Sequence, residues 1–104
     1  MVDIYMPLKL VIKKSTRPGK KLQATFFKHV GGKKLKTIHF GSAGSDDFTK
    51  TRDTAQKKRY LDRHRARENW RDPMTAGALS RWILWNKPTR AESIRDFKKR
   101  FDLV

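Results

Sequence analysis

Lys13, Lys14, Arg17, Lys20, Lys21, Lys28, Lys33, Lys34 and Lys36 crowd into two dozen positions with no carboxylate among them. An ammonium group is a compact, hydrated point charge, suited to holding a phosphate without reading a base. If six to ten of these lysines and arginines meet phosphates, affinity for nucleic acid should fall by roughly 10³ to 10⁵ between about 50 and 200 mM salt. A second basic group, Arg52, Lys58, Arg59, Arg63, Arg65 and Arg67, has a spacing that fits a helix laid along a strand backbone. Tyr60 and Trp70 lie beside it as rings for stacking on a base. The competing fate of both, and of Trp82 and Trp85, is core packing.

A third constellation is different in kind. His39, Asp46, Asp47, His64 and Glu68 are the residue types of a His/carboxylate metal cluster in a small nuclease. Their spacing permits convergence, with His64 and Glu68 one helical turn apart. No HNH-type ligand set, His-Glu-x-x-His or phosphate-cradling Gly-rich loop accompanies them. Capping by Asp46 and Asp47, and hydrogen bonding of His64 and Glu68 to Tyr60 or Asn69, account for them better. No catalytic residue, metal ligand or cofactor is therefore assigned.

The charge balance sets the frame for these groups. The chain has 104 residues, 26 Lys+Arg against 10 Asp+Glu, and a net charge of +16. From Ile4 to Ser45 there is no acidic residue and the segment carries +10; from Asp46 onward the signs mix and arginine dominates. Self-repulsion on this scale destabilises a compact monomer, and a polyanion relieves it. Without cysteine there are no disulfides, zinc fingers or thiol chemistry. No run of about 18 apolar residues offers a membrane span, and the first seven residues do not read as a secretory signal. The expectation is one intracellular or particle-enclosed domain over 1–104.

The elements that must position these groups follow from periodicity. Leu8–Lys14, Lys20–Val30 and Lys33–Phe40 alternate as strands, with Leu22, Ala24 and Phe26 on one face and Gln23, Thr25 and Phe27 on the other. Gly31-Gly32 predicts a two-residue turn with positive φ at both positions, and Lys34 and Lys36 share the Ile38/Phe40 face. Residues 8–41 thus form a basic β-meander and 42–50 a loop. In 51–104 three helices are expected. One runs from Thr51 to about Arg67, and one from Met74 to Trp85 with Asp72-Pro73 as its cap. The last is opened by Thr89 and Glu92, with Ile94, Phe97 and Phe101 as its core stripe. Gly77, among alanines, would allow a neighbouring helix to come close. The fold class is α+β: a three-stranded antiparallel meander followed by three helices.

The pieces Lys13-Lys14-Ser15, Pro18-Gly19-Lys20-Lys21, Ile38-His39-Phe40-Gly41, Asp47-Phe48-Thr49 and Tyr60-Leu61-x-Arg63-His64 resemble a family of short basic proteins of unassigned role. So do Glu68-Asn69-Trp70, Thr75-Ala76-Gly77-Ala78-Leu79-Ser80-Arg81, Leu84-Trp85-Asn86-Lys87-Pro88 and Ser93-Ile94…Phe97-Lys98-x-Arg100-Phe101. Those proteins are encoded by large double-stranded DNA viruses of algae and protists, and by some phages. The resemblance implies a viral origin and a place in the virion or infected-cell interior; it names no reaction. Where such relatives carry a histidine, this chain has Thr51 and its neighbours, so no metal role transfers there. The combined expectation is a non-enzymatic protein that binds double-stranded DNA through phosphates without sequence preference, condensing or tethering the genome. The competing expectations are a minor capsid or cement-type protein docked on acidic capsid surface, and a metal-dependent nuclease.

Overall fold

In the computed structural model, which describes residues 7–29 and 31–104, the three strands are β1 (Lys9–Lys14), β2 (Lys20–Phe27) and β3 (Lys34–Ser42). They pair antiparallel in the order β1-β2-β3. The far end of the expected second strand, Val30, and the first six residues lie outside the described part. Leu10, Leu22, Ala24, Phe26 and Phe40 bury the inner face, as alternation requires. The strand β1 has one edge against β2; on its other edge Leu10 N–H donates to Val104 O at 2.8 Å and Val104 N–H to Leu8 O at 2.9 Å. That tail blunts an otherwise unpaired edge.

The β2–β3 turn differs from the expected one. Lys28 N–H bonds Lys33 O, and Gly32 N–H bonds His29 O at 2.7 Å. The hairpin is therefore wider than two residues, and of the two glycines only Gly31 takes positive φ (78°). Gly32 closes the turn. A bulge between Phe26 and Phe27 pairs Phe26 with Lys36 but Phe27 with Lys34. Leu35 is left as the extra residue, and Lys34 moves from the inner to the outer face.

The second half contains α1 (Phe48–Thr51), α2 (Thr54–His64), α3 (Ala76–Leu79, continued by a π-helical turn Ser80–Leu84) and α4 (Arg90–Arg100). The expected helix from Thr51 to Arg67 is shorter at both ends, and the expected 42–50 loop holds the start of α1. Arg52 ends α1 in the left-handed region at φ 55°, and the Asp53 carboxylate accepts from Ala55 and Gln56 N–H to start α2. Similarly, Asp72 does not cap a helix beginning at Pro73. It closes a turn onto Met74 N–H, and Thr75 caps α3 through Ala78 N–H. Thr89 caps α4 at Glu92 N–H as expected.

These helices cover the inner sheet face. Leu79, Ile83, Leu84 and Trp85 from the central helix, Phe97 from α4, Tyr60 from α2 and Phe48 from α1 join the sheet residues in one core. Among the described residues no helix is long and apolar enough to cross a membrane. Gly41 marks the tightest approach of sheet to helix: its φ is 78°, and a Cβ there would meet Leu84 Cδ1 at 2.8 Å and Lys21 Cβ at 3.1 Å. Gly41→Ala should therefore cost about 2 kcal/mol in urea unfolding, from strain plus overpacking; an unchanged midpoint would contradict this contact.

Candidate nucleic-acid interface

The outer sheet face is built by cross-strand pairs: Lys9 with Phe27, Val11 with Thr25, Lys13 with Gln23, and on the other side Gln23 with His39 and Thr25 with Thr37. The sheet residues of the core all belong to the opposite face. A shallow depression of about 400 Å³ runs across the outer face, lined among others by Lys13, Thr16, Gln23, Thr25, Lys34 and His39. None of its lining residues is acidic. Its floor is held by hydrogen bonds: Thr25 to Thr37 hydroxyl at 3.3 Å, Ser15 hydroxyl to His39 Nδ1 at 2.7 Å, and Thr16 N–H to Gln23 Oε1 at 3.0 Å. Lys9 extends its ammonium over the Phe27 ring, 5.9 Å from the centroid. The result is a polar platform in which Gln23 and Thr25 are buried, Lys13 and Lys34 are exposed and Lys9 is half-buried, with Arg17, Lys28 and Lys33 exposed at the strand ends.

The basic residues singled out from the sequence do not share one face. Lys13 and Lys34 stand on the outer platform. Lys14 pairs opposite Leu22 on the helix side, and Lys36 reaches Met74 O at 3.5 Å. Lys20 lines a separate cleft of about 530 Å³ together with Arg63, and Lys21 lines a further depression with Arg52, so the two basic groups meet at these two places. Lys21 lines the cleft too, but its ammonium is committed: its Nζ lies 2.6 Å from Asp47 Oδ2 and donates to Ser45 O at 2.7 Å. On α2, Lys58 pairs with Asp62 at 2.7 Å on the open surface, and Arg59 is exposed. Arg65 caps the C-terminus and lies 5.9 Å from the Trp70 ring. Arg67 sits in the turn that follows, its N–H on His64 O. Lys9 is the platform residue absent from the sequence-based set; its period-2 spacing from Lys13 was the available signal.

The stacking role expected of Tyr60 is overturned by its packing. His64 stacks on it at 4.2 Å and Trp85 at 4.4 Å, nearly parallel, so neither ring face is open to a base. Burial pushes its phenol up to about 12, with the nearby Glu68 carboxylate adding to the rise.

The His/carboxylate set does not assemble. Asp46, His64 and Glu68 line the Lys20/Arg63 cleft, whereas His39 is on the far face of the sheet. Asp47 is held by Lys21. His64 Nδ1 is 3.1 Å from Glu68 Oε1, which also accepts from Trp70 Nε1. What approaches Gly77 is this Glu68 side chain, not a neighbouring helix: a methyl on Gly77 would overlap its carboxylate. Among the described residues no three of His, Asp and Glu come together as a metal site.

Residues 10–64 match the model of a family of unknown function (DUF5754), a stretch that takes in β1 from Leu10 onward, β2, β3, α1 and α2. No curated protein and no solved structure matches.

Proposed function

The chain belongs to the DUF5754 family, and we propose that it binds nucleic acid, with the phosphodiester backbone lying across the outer sheet face. The reading is non-enzymatic and sequence-independent. The observation that carries it is a three-stranded face opposite the core, with fixed hydrogen-bonding groups, three lysines and, among the described residues, no carboxylate lining it. Lysines position phosphates, and the one amide on the platform, Gln23, has its Oε1 already accepting from Thr16 N–H and hydroxyl. Double-stranded DNA is the proposed polymer. The resemblance to basic proteins of large DNA viruses supports packaging or tethering of a genome as the setting.

Fluorescence anisotropy with two duplexes of unrelated sequence tests this. Affinities should agree within about threefold. With about six phosphate contacts, from Lys9, Lys13, Arg17, Lys28, Lys33 and Lys34, both should weaken by roughly 10³ between about 50 and 200 mM salt. Tighter binding to polyglutamate than to DNA would instead favour docking on an acidic protein surface. Strong preference for one duplex would overturn the phosphate-only reading.

A further inference from the structure

Three guanidinium groups gather on two indoles in the helical layer, well away from the platform. Arg81 on the π-helical turn of α3 lies 4.1 Å from the Trp82 ring centroid and 5.4 Å from that of Trp70. Arg100 at the end of α4 is 3.7 Å from Trp82, and Arg65 at the end of α2 is 5.9 Å from Trp70. Trp82 Nε1–H donates to Trp70 O at 2.8 Å, which ties the indoles together.

Attraction between cations and rings explains each contact singly, but not why three cations are brought together with so little to neutralise them. The carboxylate of Asp96 pairs with Arg100 at 3.3 Å, accepts from Asn86 Nδ2 at 2.7 Å, and offsets the charge of Arg81 only from further away. Among the described residues no carboxylate lies within ion-pair distance of Arg65 or Arg81. Arg81 donates from Nη1 to Trp85 O, while its Nε is buried and has no partner. Burial and the charges of Arg100 and Arg65 pull its guanidinium below the usual value. Three guanidinium groups with one paired carboxylate among them leave Arg65 and Arg81 with uncompensated charge, and guanidinium forks match phosphate oxygens.

We propose that Arg65, Arg81 and Arg100 hold a nucleic-acid phosphate against Trp70 and Trp82, so that one chain binds two nucleic-acid segments and bridges them. The bridging rests on the platform reading above; the anion site does not. α3 and α4 pack on the inner face of the sheet, so sheet and core separate this cluster from the platform in a domain of 50 × 28 × 25 Å. One backbone lying on the outer face does not reach it.

The test uses the full chain and two short duplexes of different colour, one immobilised, with co-capture of the second as readout. Arg65 and Arg100 are exposed, so the Arg65→Gln/Arg100→Gln variant should fold; circular dichroism checks it. It should bind a single duplex within about threefold of the unaltered chain yet lose co-capture by about tenfold or more. In parallel, inorganic tripolyphosphate is titrated against tryptophan emission, with a saturable change expected in the unaltered chain and none in the variant. Undiminished co-capture by the variant overturns the inference while leaving the platform reading intact. A tripolyphosphate response without co-capture by the unaltered chain, although it binds one duplex, also overturns it, in favour of a free-phosphate site. Absence of any duplex binding together with a saturable response sinks the platform reading and the bridging, and keeps the anion site.

Discussion

Asp47→Ala should lower the stability of this domain by about 3 kcal/mol. The carboxylate is 1% exposed and joins three parts of the fold. It caps α1 through Thr49 N–H at 3.0 Å and takes the Thr49 hydroxyl. It also pairs with Lys21 of β2 at 2.6 Å and faces Arg90 of α4 at 3.8 Å. Loss of a cap costs about 1 kcal/mol, and removing one partner of a buried pair costs about 3–5 kcal/mol. Lys21 keeps the Ser45 carbonyl and some water, which places the total near the lower figure. For a domain of this size that is a fall in Tm of about 12–24 °C.

The same residue sets the acid limb of stability. Burial alone pushes the Asp47 carboxyl up, but hydrogen bonds from Lys21 and Thr49, with the charges of Lys21 and Arg90, outweigh it and hold the carboxyl below its usual 3.8. A group depressed in the folded state contributes its stability in full above 3.8, and loses it as pH falls from there through the folded value. Thermal unfolding followed from neutral to acid pH should show this loss in the unaltered chain. Asp47→Asn should start less stable and lose less on acidification. Parallel pH curves for the two would contradict the ion-pair account.

The second large effect is on binding. Lys9→Gln, Lys13→Gln and Lys34→Gln combined should weaken duplex binding by about 10²-fold or more at about 100 mM salt, and flatten the slope of log affinity against log salt by about three. All three side chains lie on the outer face and none pairs with a carboxylate among the described residues, so stability should hardly change. The control is Lys58→Gln, whose ammonium is already paired with Asp62 and which should bind nearly as the unaltered chain does. An equal loss in both would assign the affinity to bulk charge and not to the platform.

Much of the architecture was legible from local pattern. The Leu22/Ala24/Phe26 alternation, the Phe97/Phe101 stripe of the last helix and the Thr89 cap each follow from interactions a few residues apart. What escaped was either side-chain competition for the backbone or tertiary. Asp53 and Thr75 each restart a helix where apolar periodicity ran on, because a short oxygen-bearing side chain offers the backbone a nearby alternative partner. The bulge at Leu35 carries no glycine or proline to announce it, yet it decides which face Lys34 serves. Lys21 and Asp47 are 26 positions apart, and nothing near either one distinguishes Lys21 from Lys20 beside it. The acid-free segment was plain in the sequence; its division among platform, cleft and ion pair depended on register and packing.

The central claim is that phosphates lie on the outer face, and lysine-reactive acetylation read by mass spectrometry tests it most directly. With saturating duplex at about 50 mM salt, Lys9, Lys13 and Lys34 should be shielded several-fold relative to the free protein. Lys99, exposed on the outer side of α4, should label to the same extent with and without DNA. Full reactivity of the three platform lysines while the duplex is bound would contradict the account.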